Sequence, residues 1–282
     1  MQEADPAELL SIAHEAAAAA GALLLDSARS PAEDVQTKSG PTDLVSEADH
    51  AAERAIIALL SERRPGDRML GEEGGERALG EAEPEPGGVR WVVDPLDGTV
   101  NFLFGIPQWC VSVACEDDDG AIAGVIFDPS RGETFAATRD GPATLDGRSI
   151  EASQRTDLET ALIATGFSYD ADVRARQAET VGALLPRVRD IRRLGSAALD
   201  LCWTACGRYD AYFERALNPW DRAAGALICA RAGLALRELE ATDDLPAGLV
   251  VAPAPLLEPL FELVGVTGPI RGSGSRPSRA RS

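Results

Sequence analysis

Val89-Arg90-Trp91-Val92-Val93-Asp94-Pro95-Leu96-Asp97-Gly98-Thr99-Val100-Asn101-Phe102 is the stretch on which the reading of this 282-residue chain turns. The apolar run predicts a strand over Val89–Asp94 that ends in a carboxylate. Two aspartates three residues apart across a proline-containing turn can converge on one point. Gly98 lets the backbone come close to a ligand. The N–H groups after it open a short helix, Thr99–Leu103, toward an anion.

Two further acidic segments stand outside this stretch. Gly71-Glu72-Glu73-Gly74-Gly75 is a glycine-flanked turn after Met69-Leu70, and Asn218-Pro219-Trp220-Asp221 places a carboxylate at the start of an apolar helix. Each has an ordinary reading: Asp221 as a helix N-cap, Asp97-Gly98 as a hairpin turn, Glu72-Glu73 as a solvated loop. Together they supply oxygen donors and almost nothing softer. The chain has two histidines, His14 and His50, and no CxxC pair among its five cysteines. Oxygen donors suit hard cations, Mg²⁺ or Mn²⁺, and not zinc or copper. Carboxylate-held magnesium beside a helix N-terminus is what phosphoryl chemistry requires.

Periodicity organises the rest. A helix is predicted over residues 6–28, then a polar loop from Ser30 to Leu44 and a second helix from Ser46 to Glu62. Ser46 and Asp49 form a capping-box pattern at its start. Residues 74–88, rich in Glu, Gly and Pro, read as an exposed mobile loop. Strands are predicted over Val89–Asp94, Trp109–Glu116, Ala121–Asp128 and Glu133–Thr138, in a mostly antiparallel sheet. Beyond residue 155 strands and helices alternate: strand Ala161–Thr165, helix Asp172–Leu185, strand Ile191–Leu194, helix Ser196–Cys206, strand Ala211–Glu214 and helix Asp221–Ala232. This predicts an α+β domain over 1–155, an α/β domain over 156–267 and a disordered tail over 268–282.

The charge bounds the partners. Forty-six acidic against 27 basic residues leave −19, and Lys38 is the only lysine. Such a chain repels nucleic acid and anionic membranes, the Arg-rich tail excepted. The longest apolar run, Ala16–Leu25, is about half a membrane span. The N-terminus lacks the basic region of a signal peptide, so the expectation is a soluble, cytoplasmic protein. Cys202 and Cys206, four apart, are expected to share one buried helix face.

Gly71-Glu72-Glu73, the run Asp94–Phe102 and Trp220-Asp221-Arg222-Ala223-Ala224-Gly225 resemble the three signatures of the inositol monophosphatase family. Lys38–Asp49, Arg193–Ala198 and Asp210–Glu214 are similar to further elements of it, in the same order. The resemblance, closest to actinobacterial members, implies a layered α-β-α-β-α sandwich shared with fructose-1,6-bisphosphatase. It implies a magnesium-dependent, lithium-sensitive phosphatase with two to three ions per site, and a homodimer. On this resemblance, Glu72, Asp94 and the Leu96 carbonyl hold a first ion, and Asp94, Asp97 and Asp221 a second. Thr99, paired with Asp49, orients the attacking water; Gly98 and Thr99 bind phosphate oxygens. Glu214, Gly195, Ser196 and Ala197 contact substrate hydroxyls. Lys38 is either a solvated loop lysine or faces the phosphate and metals. Val100-Asn101-Phe102 and Glu214 favour inositol 1-phosphate as substrate. Histidinol phosphate and adenosine 3′,5′-bisphosphate are the alternatives, and a non-catalytic interaction protein is the reading from another class.

Overall fold

Alternation along the opening stretch puts Trp91 and Val93 on one side of their strand and Val92 on the other, and each side joins a separate hydrophobic core. The protein is described by a computed structural model covering residues 5–29, 36–37, 44–80 and 88–265. Lys38, residues 81–87 of the acidic loop and the Arg-rich tail lie outside the described residues.

The first part of the chain runs α1 (Pro6–Ser27), β1 (Gln36–Thr37), β2 (Leu44–Val45), α2 (Glu47–Arg63), β3 (Arg68–Gly71), β4 (Gly75–Ala78), β5 (Arg90–Asp97), α3 (Thr99–Leu103), β6 (Cys110–Asp117), β7 (Gly120–Asp128), β8 (Glu133–Thr138), β9 (Thr144–Leu145) and β10 (Arg148–Ser149). Strands β3 to β10 form an eight-stranded sheet in the order β10-β9-β8-β7-β6-β5-β3-β4. Its pairings are antiparallel apart from β3 with β5, which run parallel.

The second part continues with β11 (Leu162–Thr165), α4 (Ala171–Leu184), β12 (Asp190–Arg192), α5 (Ala197–Ala205), β13 (Ala211–Arg215), α6 (Pro219–Arg231), β14 (Ala235–Leu239), β15 (Gly248–Ala252) and α7 (Ala254–Gly265). Its five-stranded sheet has the order β12-β11-β13-β15-β14. β11 is parallel to β12 and β13, while β15 is antiparallel to β13 and β14, so this sheet is mixed.

Three cores fix the layering. Leu9, Ile12 and Leu24 of α1 and Ile56 and Leu60 of α2 pack against Trp91, Val93, Val111 and Val125 on one face of the large sheet. On its other face Val92, Ala114 and Ile126 meet Leu199 and Cys202 of α5 and Ile228 of α6, which also cover Tyr212 and Val251 of the small sheet. Leu184 of α4 and Leu256 and Leu260 of α7 close the far side over Ile163, Phe213 and Val250. The order is helices, sheet, helices, sheet, helices: the α-β-α-β-α sandwich. Each fully buried Leu, Ile or Phe in these layers contributes about 1.5–3 kcal/mol relative to exposure.

Three expectations are corrected, and three elements stand where none was expected. Residues 75–78, placed in a mobile loop, form β4; it pairs with the sheet edge through its main chain while Glu76, Arg77 and Ala78 stay exposed. Helix α1 spans 22 residues and is long and apolar enough, by length and composition, to cross a membrane. Its apolar side is instead buried on the large sheet. Cys202 is fully buried but Cys206 only in part, and all five cysteines are free. Finally, β14, β15 and α7 had no counterpart in the sequence reading.

One irregularity matters for the site. Residues three apart on a regular strand face opposite ways. Asp94 pairs with Ser112 and Asp97 with Cys110, so three steps on β5 oppose two on β6. The extra residue is a bulge, and it returns both carboxylates to one side.

Candidate active site

The parallel strands β3, β5, β11, β12 and β13 all deliver their C-terminal ends to one cleft, where α3, α5 and α6 begin. Open α/β sheets place ligand sites at such strand ends. The cleft holds ≈340 Å³, within the range of about 300–1,000 Å³ usual for small-molecule sites.

Four acids ring its floor: Glu72 after β3, Asp94 and Asp97 at the end of β5, and Asp221 in the first turn of α6. Three of them have one oxygen tied to protein donors. The Leu96 N–H donates to Asp94 Oδ1 at 3.0 Å. Asp97 Oδ2 accepts from the Ser196 hydroxyl at 2.6 Å and the Ala198 N–H at 2.8 Å. Asp221 Oδ2 accepts from the Asn218 N–H at 2.6 Å, as the third residue of a capping box. Fixing one oxygen orients each carboxylate, and the Asp94 carboxyl also meets that of Glu72 through a side-chain hydrogen bond. Among the described residues, no three such side chains close tightly enough on one point to hold an ion as they stand.

Asp49 repeats the pattern behind the cleft. The N–H and hydroxyl of Ser46 donate to its Oδ2 at 2.8 and 2.6 Å, capping α2. Its Oδ1 accepts from the Thr99 hydroxyl at 2.9 Å, and the Leu96 carbonyl lies 3.0 Å from the same hydroxyl. With its single proton directed to these acceptors, Thr99 turns lone pairs toward the cleft.

Electrostatics follow from this crowding. Burial first, then the charges of Glu72, Asp97 and Asp221, push Asp94 well above the usual carboxylate range. Burial and the charge of Asp97 do the same to Asp221, against the Asn218 N–H. Asp97 is raised to about 6, burial outweighing the hydrogen bonds from Ser196 and Ala198. On the far wall Glu214 is raised to about 7 by burial; the Tyr212 hydroxyl, 2.9 Å from its Oε2, and Arg193 oppose the rise.

Of the residues singled out in the sequence, Glu72, Asp94, Leu96, Asp97, Gly98 and Thr99 line the cleft, as do Gly195, Ala197, Glu214 and Asp221. Asp49 is fully buried and reaches it through Thr99. Ser196 departs from the substrate-contact expectation: it is buried and its hydroxyl is committed to Asp97 and the start of α5. Lys38 lies outside the described residues. Three residues were given no role in the sequence. Asn101 stitches α3 to the neighbouring loops through the carbonyls of Gln108 and Leu194, both at 2.8 Å. Tyr212 holds Glu214, and Arg193 lies over the Phe167 ring at 5.7 Å beside the cleft. All three stand inside segments that the family resemblance marks: Asn101 in the long signature, Arg193 in Arg193–Ala198 and Tyr212 in Asp210–Glu214.

Comparison with known proteins agrees with this architecture. The family model described as "Inositol monophosphatase family" matches residues 5–264. "Inositol-1-monophosphatase SuhB" of Mycobacterium tuberculosis is 42% identical over 264 residues, covering 89% of this chain and 90% of that protein. "Nus factor SuhB" of Escherichia coli is 39% identical over 226 residues, covering 80% and 83%. Among solved structures, the extragenic suppressor protein SuhB of Bartonella henselae superposes with a TM-score of 0.82 at 34% identity, covering 91% of this chain and 98% of that one.

Proposed function

From the premise that the chain belongs to the inositol monophosphatase family, we propose that it hydrolyses inositol 1-phosphate and related polyol monophosphates with the help of Mg²⁺. One observation carries the reading: Asp94, Asp97 and Asp221, beside Glu72, share a cleft with a threonine whose proton is tied to a buried aspartate.

The donor set fits hard divalent cations. It is all oxygen, and its buried carboxylates resist ionising together unless positive charge is supplied. Glu72, Asp94 and the Leu96 carbonyl would hold one ion and Asp94, Asp97 and Asp221 another. When bound, such ions neutralise phosphate charge and lower the pKa of an attacking water. The chain's own residues do the remainder. Thr99 accepts a hydrogen bond from water because Asp49 takes its own, and so aims a water lone pair at phosphorus. The N–H groups of Gly98 and Thr99, in the unpaired first turn of α3, receive phosphate oxygens. Glu214 accepts from a polyol hydroxyl across the cleft, with the Gly195–Ala197 backbone beside it. No histidine takes part. By the family resemblance the protein is also a homodimer, which light scattering would check.

Phosphate release from inositol 1-phosphate, histidinol phosphate and adenosine 3′,5′-bisphosphate, each with Mg²⁺, tests the substrate. A competitor favoured more than about tenfold in kcat/KM, roughly 1.4 kcal/mol, rejects inositol 1-phosphate. Asp94→Asn keeps the volume and removes a bridging charge, so turnover should fall by about 10³-fold, some 4 kcal/mol, with an unchanged circular dichroism spectrum. A variant with near-parental turnover would remove the metal assignment and leave the protein-partner reading.

A further inference from the structure

Two buried acids stand one turn apart on α2, and the site above uses only one. Asp49 holds Thr99. Glu53, four residues on and therefore on the same helix face, is 6% exposed. Its Oε1 accepts from the main-chain N–H groups of Glu73 and Gly74 at 3.2 and 3.1 Å. Those donors belong to the turn between β3 and β4, next to Glu72. The same turn is tied on its other side by the Glu72 N–H, which donates to the Val93 carbonyl of β5 at 3.1 Å, one residue before Asp94.

The glycines of this turn make room for the carboxylate. A Cβ at Gly71 would overlap Glu53 Oε1, and one at Gly74 would stand 3.0 Å from Oε2. The Gly-Glu-Glu-Gly pattern therefore forms a notch in the backbone that the Glu53 side chain fills. We infer that Glu53 is a positioning residue: by gripping the 73–74 turn it sets where Glu72 stands relative to Asp94, and so how tightly the cleft binds a divalent cation. The same helix thus spaces the water-orienting hydroxyl, through Asp49, and the cation-binding carboxylate, through Glu53. This inference rests on the metal reading above.

Mn²⁺ binding to the whole protein, followed by electron paramagnetic resonance, tests it. Groups that orient metal ligands typically contribute about 10–100-fold in affinity, so Glu53→Ala should weaken Mn²⁺ binding by at least about tenfold. Glu53→Gln keeps an oxygen that can accept from both N–H groups and should recover most of the affinity. At saturating metal, KM for inositol 1-phosphate should be unchanged in both. If Glu53→Ala lowers the melting temperature yet binds Mn²⁺ like the parent, Glu53 is only structural and the inference is overturned. Should that variant not fold, Gly71→Ala, whose Cβ would overlap Glu53 Oε1, displaces the carboxylate without removing it; unchanged Mn²⁺ affinity there overturns the inference equally. A parent protein that binds no Mn²⁺ would instead overturn the metal reading, and this inference with it.

Discussion

Asp97 gives the metal-free protein an unusual acid preference that can be measured. Its carboxyl is raised from an ordinary value of 3.8 to about 6, chiefly by burial. Between those values the folded state holds a proton that the unfolded state releases, so stability falls as pH rises. The contribution is intact below about pH 4 and lost by about pH 6. A shift of about 2 units at 1.36 kcal/mol each makes the loss about 3 kcal/mol, with Asp94 and Asp221 acting in the same direction. In a domain of this size that is roughly 6 °C or more in melting temperature. Surface carboxylates paired with arginine, such as Asp117 with Arg139, are lowered and contribute the opposite slope. The comparison that isolates Asp97 is therefore with Asp97→Asn, whose amide oxygen can still accept from Ser196 and Ala198. Denaturation of both proteins in chelator at pH 4 and pH 7.5 should show the variant gaining about 3 kcal/mol on the parent across that interval. Added Mg²⁺ should abolish the gain by neutralising the parent's charge. A variant that tracks the parent at both pH values, or a parent that becomes more stable relative to it at pH 7.5, would refute burial as the dominant force on this carboxyl.

Two further outcomes follow from neighbouring contacts. Gly98 has φ +95°, and a Cβ there would stand 2.7 Å from the Gln108 carbonyl. Gly98→Ala should cost about 1–3 kcal/mol of stability and lower kcat, read by denaturation and phosphate release; a parental kcat would separate the turn from the chemistry. Tyr212→Phe removes the hydroxyl that favours ionised Glu214, so that acid should titrate above its present value of about 7. The acid limb of the 1/KM profile should move to higher pH while KM at pH 9 stays the same, and superimposable profiles would detach Tyr212 from substrate binding.

The acids of the cleft were legible because they sit in short, dense motifs where a strand ends or a helix begins, and those ends are what the fold gathers. Helices α1, α2, α5 and α6 were legible from periodicity and from capping residues such as Ser46 and Asp49. Elements defined by their partners were not. β4 is Gly-Glu-Arg-Ala with exposed side chains, and only the main chain of β3 makes it a strand. α7 contains Pro259, which breaks the local pattern, yet Leu256, Leu260 and Val264 bury along one side of it. Glu53 looks like one more charge on an amphipathic helix until the turn it grips is seen. Ser196 stands among the substrate contacts by family resemblance, with Gly195 and Ala197 on either side; which way its hydroxyl turns is decided by Asp97, ninety-nine residues away in the chain.

The bulge in β5 has a consequence for anyone altering this segment. Asp94 and Asp97 share a side only because the count of residues between them is out of step with the partner strand. Deleting one residue there would restore a regular ladder in which the carboxylates, now two apart, still share a side, but it would take away the extra main chain whose Leu96 N–H donates to Asp94 and whose Leu96 carbonyl accepts from Thr99. Length is therefore the inherited quantity between these two positions. A library that varies the identity of residue 96 explores side chains on an intact frame, whereas one that varies the number of residues between 94 and 97 removes the frame itself.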